Sequence, residues 1–124
     1  MQVDIHWENQ ASSVIRVNCA GAWVWGDMAQ AIQNWRAVQI PPPQLVCIIV
    51  DMRAVTSIAS DTVLHLKDAA TSSRDVNGQI VVIMSSSAVA IVFKMFVTLY
   101  WKVGGKFCAA SSEEEAYKLL GLTP

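Results

Sequence analysis

Val3, Ile5 and Trp7 alternate with Gln2, Asp4 and His6 at the start of the chain. This period of two predicts a strand with one face on a core. Val14, Ile15 and Val17 continue the pattern beyond the polar connection Glu8-Asn9-Gln10, so the two segments are expected to form a hairpin whose second strand runs out near Gly21. Trp23 and Trp25 alternate as well and can extend that strand, sharing one of its faces. The period then changes. Met28, Ile32, Trp35 and Val38 recur at helical spacing after Gly26-Asp27, and Pro41, Pro42 and Pro43 stop the helix. Next comes LVCIIV, residues 45–50, a continuous apolar run expected of a strand buried on both faces.

The stretch DMRAVTSIASDTVLHL, residues 51–66, begins on the aspartate that closes this run and leads into a second helix with Val63, Leu66 and Ala70 on one face. Asn77-Gly78 ends that helix, and QIVVIM is another buried strand. Residues 87–103 predict a third helix, apolar nearly all round and terminated by Gly104-Gly105, before a short strand, KFCAA. The last helix opens with Ser112 and Glu115 in capping-box spacing. Glu113, Glu114 and Glu115 fall in its first turn, where the helix dipole favours negative charge over any need for a metal. The order β-β-α-β-α-β-α-β-α over residues 1–124 implies one α/β domain, a mixed sheet with helices packed against it.

Composition narrows the function classes. The 124 residues are 53% hydrophobic and only 15% charged, with mean hydropathy +0.37. Some of that apolar surface is expected to be covered by a partner. Net charge is −1 with no basic run, which excludes nucleic-acid binding through a phosphate-following surface. Cys19, Cys47 and Cys108 lie in or beside apolar segments without paired spacing, as core thiols in a reducing, cytoplasmic setting would. MQVDIHWENQ has neither the charge nor the apolar core of a signal peptide. Residues 80–103 imitate a membrane span, but Ser85-Ser86-Ser87 divide them and Lys94 interrupts the second half, so a strand followed by a helix is expected. His6 and His65 share no metal-ligand spacing, and no phosphate-cradling glycine loop or nucleophile–base pair is present. No cofactor, metal or catalytic activity is expected.

The element order and residues 51–66 together resemble the STAS family, the domain of sulphate transporters and anti-sigma-factor antagonists. Family members end a central apolar strand on Asp, then present Asp-Ser-(Ser/Thr)-Gly-Leu at the start of the next helix. Counted from Asp51, Ile58 takes the aliphatic position, Ala59 the Asp, Ser60 the phosphorylatable Ser, Asp61 the second hydroxyl, Thr62 the Gly and Val63 the Leu. The chain also resembles a bacterial STAS-like subgroup through Val50-Asp51-Met52-Arg53, Gly104-Gly105-Lys106-Phe107 and Glu114-Glu115-Ala116-Tyr117. The resemblance implies a regulatory protein-interaction domain switched by phosphorylation at Ser60, with an anti-sigma-type kinase or another regulator as partner.

Physical reading leaves two roles for Ser60. A phosphate there would meet a helix N-terminus, though beside the like charge of Asp61; alternatively the hydroxyl is an N-cap. Asp51 with Arg53 and Asp61 could define a small polar pocket, flanked by Ser57 and Thr62, or Asp51 could fix the loop by accepting backbone hydrogen bonds. Trp23, Trp25, Phe93, Phe96, Tyr100 and Trp101 are candidates for a homodimer or partner interface. The alternative is an apolar-ligand module with a lipid-sized pocket between the sheet and the helix spanning residues 88–103.

Overall fold

The computed structural model describes residues 2–8, 14–38, 47–59, 62–65, 78–99 and 106–121. Five strands form one mixed sheet in the spatial order β1-β2-β3-β4-β5. The strands are β1 (Gln2–Trp7), β2 (Val14–Trp23), β3 (Cys47–Ile58), β4 (Ile80–Ile83) and β5 (Phe107–Ala110). The opening hairpin is antiparallel, and every later pair is parallel. Helices α1 (Trp25–Ala37), α2 (Ser87–Leu99) and α3 (Glu113–Leu120) complete the α/β layers. The second helix anticipated from sequence is described only as a 3-10 turn, Thr62–His65; residues 66–77 lie outside the described residues, as do Pro41, Pro42, Pro43, Gly104 and Gly105. No helix of the described residues is long and apolar enough to cross a membrane.

Strand pleating sorts the side chains into two clusters. Ile15, Val17 and Cys19 of β2 join Ile48, Val50 and Met52 of β3 and Ile80 and Val82 of β4, together with Met28 of α1 and Val89 of α2. Val14, Ile49, Val81, Ile83 and Ala110 project from the other face and meet Ala116 of α3. Burial on both faces explains why the central strands read as unbroken apolar runs.

β3 departs from expectation at Asp51. Rather than ending there, the strand continues to Ile58, because Met52 and Val55 still bury against the larger cluster and Ile58 packs on it. Two bulges make this possible. Asn18 pairs with Asp51 but Ala20 with Ala54, and Gly21 pairs with Val55 but Ala22 with Ser57, so β3 carries an extra residue at each step. Gly21 sits at the second bulge with φ 87, a backbone region that favours glycine. Between Ile48 and Asp51, β3 is flanked by β2 and β4; beyond Asp51 its described ladder partner is β2 alone.

Trp23 ends β2 and Trp25 opens α1, so the two indoles do not share a strand face; their ring centroids lie 6.3 Å apart. Trp35 packs edge-on against Trp7 at 5.2 Å. Val38, expected to complete the apolar stripe of α1, follows the helix end and is exposed.

Candidate functional site

A charged residue within a buried apolar strand is the strongest departure from pattern in the structure. Arg16 lies between Ile15 and Val17 on β2, and only 5% of it is exposed. Its side chain points to the face opposite those neighbours, the face of Val14 and Asn18. Its Nε donates to Asn18 Oδ1 at 2.8 Å. Its Nη2 donates to Asp51 Oδ2 at 2.7 Å and to Glu113 Oε1 at 2.8 Å, and Nη1 lies 3.6 Å from Glu8 Oε2. Residues 35 and 97 positions away in sequence thus converge on one guanidinium.

Asp51 accepts at both oxygens. Arg53 grips it as a fork, Nε to Oδ1 at 3.0 Å and Nη2 to Oδ2 at 2.7 Å, while the Arg53 backbone N–H also donates to Oδ1 at 3.0 Å. Bidentate guanidinium–carboxylate pairing is among the stronger charge-assisted geometries. Burial pushes the Asp51 carboxyl pKa upward, but the hydrogen bonds from the Arg53 side chain and backbone, with Arg16 behind them, outweigh it and lower the value to about 2. Burial opposes the charge of Arg16, yet Glu113 and Asp51 hold its pKa above the ordinary value. Glu113 is held below its ordinary value by the Arg16 hydrogen bond first. Tyr117 donates to Glu8 Oε1, which raises the phenol's pKa.

Among the described residues no group of three His, Cys, Asp or Glu is placed to hold a metal. Beside the network lies an open groove of about 980 Å³, with Gln2, Asp4, Asn18, Asp51 and Arg53 among its lining residues. Val3, Cys19, Ala20 and Ala54 line it as well, so its wall mixes apolar and hydrogen-bonding groups.

Among the described residues, the hydroxyls of Thr56, Ser57 and Thr62 do not form one cluster. Thr56 and Ser57 are exposed on β3 rather than at the turn. Thr62 is buried, its N–H and Oγ1 both donating to Ala59 O, at 3.0 and 2.6 Å. The Ala59 N–H donates to Trp23 O at 3.0 Å. Both flanks of the Ser60-Asp61 pair are thereby anchored; Ser60 and Asp61 themselves lie outside the described residues, as do Tyr100 and Trp101.

The aromatic interface candidates that are described turn inward. Trp23 and Phe96 are buried, and Trp25 and Phe93 pack against the larger core. Phe96 meets Phe107 with ring centroids 4.8 Å apart, and Phe93 meets it at 6.3 Å. These rings fill space between α2 and the sheet where the sequence suggested a lipid-sized pocket. The groove described above lies elsewhere, flanking the ion network with a mixed apolar and polar lining. Cys19 is a buried free thiol whose pKa burial pushes up to about 12, while Cys47 and Cys108 are half-buried.

Arg16, Glu113 and Glu8 were not singled out as a site from sequence. The available signal was Arg16 itself, a charge inside VIRV where strand pattern calls for burial. Glu113 does open α3, where Ser112 caps the Glu115 N–H at 3.2 Å and Glu115 reaches back to Ser111. It performs a second task by binding Arg16.

No family model matches the chain, and no curated protein matches it. Solved structures do, among them two anti-sigma factor antagonists. The unphosphorylated form of the anti-sigma factor antagonist SpoIIAA superposes with TM-score 0.65 at 15% identity, over 99% of this chain and 100% of that one. An anti-sigma factor antagonist from Mycobacterium paratuberculosis superposes with TM-score 0.61 at 17% identity, over 97% of this chain and 95% of that one. The chain has the STAS-like α/β fold.

Proposed function

We propose that the protein is a non-enzymatic regulatory module that acts by protein–protein association in the manner of an anti-sigma factor antagonist, with Ser60 as its phosphorylation switch. The observation that carries this reading is the whole-chain likeness to two such antagonists. The turn geometry supports it. Thr62 is buried and committed to Ala59 O, so Ser60 is the hydroxyl that combines family register with a position between two anchored flanks. A phosphate would add roughly two negative charges there, next to Asp61, and alter the surface a partner reads. The partner in this reading is an anti-sigma-type kinase or another cytoplasmic regulator, and self-association into a homodimer belongs to the same reading.

The test is incubation with source lysate and ATP, followed by phosphosite mapping and partner capture with Ser60→Asp and Ser60→Ala proteins. Modification at Ser60, with partner capture lost in Ser60→Asp and kept in Ser60→Ala, is expected. An unmodified Ser60, together with capture indifferent to Ser60→Asp, removes the switch.

A further inference from the structure

The sheet ends in two unlike edges. β5 is four residues long and follows Lys106, and its Phe107 packs against Phe93 and Phe96. β1 has six residues and pairs with β2 without a bulge; among the described residues β2 is its sole ladder partner. Proline, lysine, bulges and shortness are the usual guards of an exposed edge. β1, QVDIHW, has none of them.

One hydrogen bond shows which groups of β1 face outward. Glu8 N–H donates to Val14 O at 2.8 Å, continuing the register that pairs Trp7 with Ile15. Residues of an antiparallel strand alternate between bonding one neighbour and the other. Gln2, Asp4 and His6 therefore turn their N–H and C=O groups to β2, while Val3, Ile5 and Trp7 turn theirs away from the sheet. A second copy laid antiparallel can use these groups only where Val3, Ile5 and Trp7 face one another. Charge then chooses the register. Centring the pair on Asp4 sets Asp4 against Asp4, and centring it on His6 sets Asp4 against Glu8; both oppose pairing. Centring it on Ile5 pairs Val3 with Trp7 twice and sets Asp4 opposite His6 twice. Asp4 and His6 are exposed and already lie 3.3 Å apart within one copy, so the four side chains would alternate around the axis. We infer that β1 is a dimerisation edge, where two copies pair antiparallel about Ile5 and join their five-stranded sheets into one. Such a two-fold contact closes on itself, so assembly stops at two chains. This dimer rests on the self-association in the reading above and leaves the Ser60 switch untouched.

Light scattering tests it, with a two-chain mass expected. Amide exchange should show Val3, Ile5 and Trp7 gaining protection as protein concentration rises, with Asp4 and His6 unchanged. Ile5→Pro removes the central outward donor without taking a bond from β2, and should give a one-chain mass with the circular dichroism of a folded sheet. His6→Asp, at an exposed side chain, should weaken dimerisation about tenfold, and Asp4→His combined with His6→Asp should restore it. A one-chain mass for the parent protein overturns the inference. So does a two-chain mass that survives both Ile5→Pro and His6→Asp, or a double exchange that fails to restore pairing. None of these outcomes alters phosphosite mapping at Ser60, so the edge and the switch fail separately.

Discussion

Ile15 and Arg16 are neighbours on β2 and almost equally buried, yet they close opposite faces of the sheet by opposite means. Ile15 enters an apolar cluster reached by α1 and α2, where burial is non-directional and needs no partner of a given geometry. Arg16 enters a site where Asn18, Asp51, Glu113 and Glu8 surround it from three strand or loop segments and one helix. The apolar face tolerates rearrangement. The ionic face is specified by direction, because each lost partner leaves a charge poorly compensated. The difference teaches where this fold is sensitive to pH and salt, and the remaining predictions probe it.

The largest effect is expected from Arg16→Ala. Removing the guanidinium leaves Asp51 and Glu113 to Arg53 alone, takes the neighbouring cation from Glu8 and empties a buried site, at a cost of about 3–5 kcal/mol. Ile15→Ala, on the other face, should cost about 2–5 kcal/mol through lost burial and a cavity. Urea unfolding measures both, and solution conditions separate them. The Ile15→Ala loss should be indifferent to salt and pH. An Arg16→Ala protein as stable as the parent would show that the network contributes nothing net.

Acid titration gives the next effect. The folded Asp51 pKa of about 2 lies below its ordinary 3.8, so the carboxylate form favours folding. Its contribution is complete above pH 3.8, declines as pH falls toward 2, and is gone below. The amount at stake is on the order of 2 kcal/mol. Stability measured across this window should keep the slope in Ile15→Ala and become shallower in Arg16→Ala, where Arg53 still holds the carboxylate. Equal slopes in the two variants would break the contrast between the faces.

Gly21→Ala should give the smallest change. At φ 87 a Cβ costs about 1–2 kcal/mol. A fall in Tm with an unchanged acid slope is expected, since the bulge lies beyond the pairs that anchor Asp51. An altered slope would tie the bulge to the ionic face.

Much of the fold was written in local pattern. Val3, Ile5 and Trp7 state a one-sided strand, LVCIIV and QIVVIM state buried ones, and Ser112 announces α3. The length of β3 was hidden for a specific reason. Its core residues Met52, Val55 and Ile58 are three apart, because each bulge inserts a residue, and a reading tuned to a period of two loses the strand there. The ionic site was hidden for another. Asp51 and Arg53 could be singled out by their neighbourhood, but Glu8 and Glu113 join them only through Arg16 and the pairing of β2 with β3, which no sequence spacing encodes.

The lopsided pairing of β3 has a mechanical meaning. The strand is a beam clamped between two neighbours up to Asp51 and backed by one beyond it. Force applied at the Ala59–Thr62 turn acts on the overhanging part first. Asp51 is then the fulcrum, bolted by its two arginines, and Gly21 is the compliant joint in the supporting strand. Amide hydrogens of Ile48–Asp51 should accordingly outlast those of Val55–Ile58 in deuterium exchange.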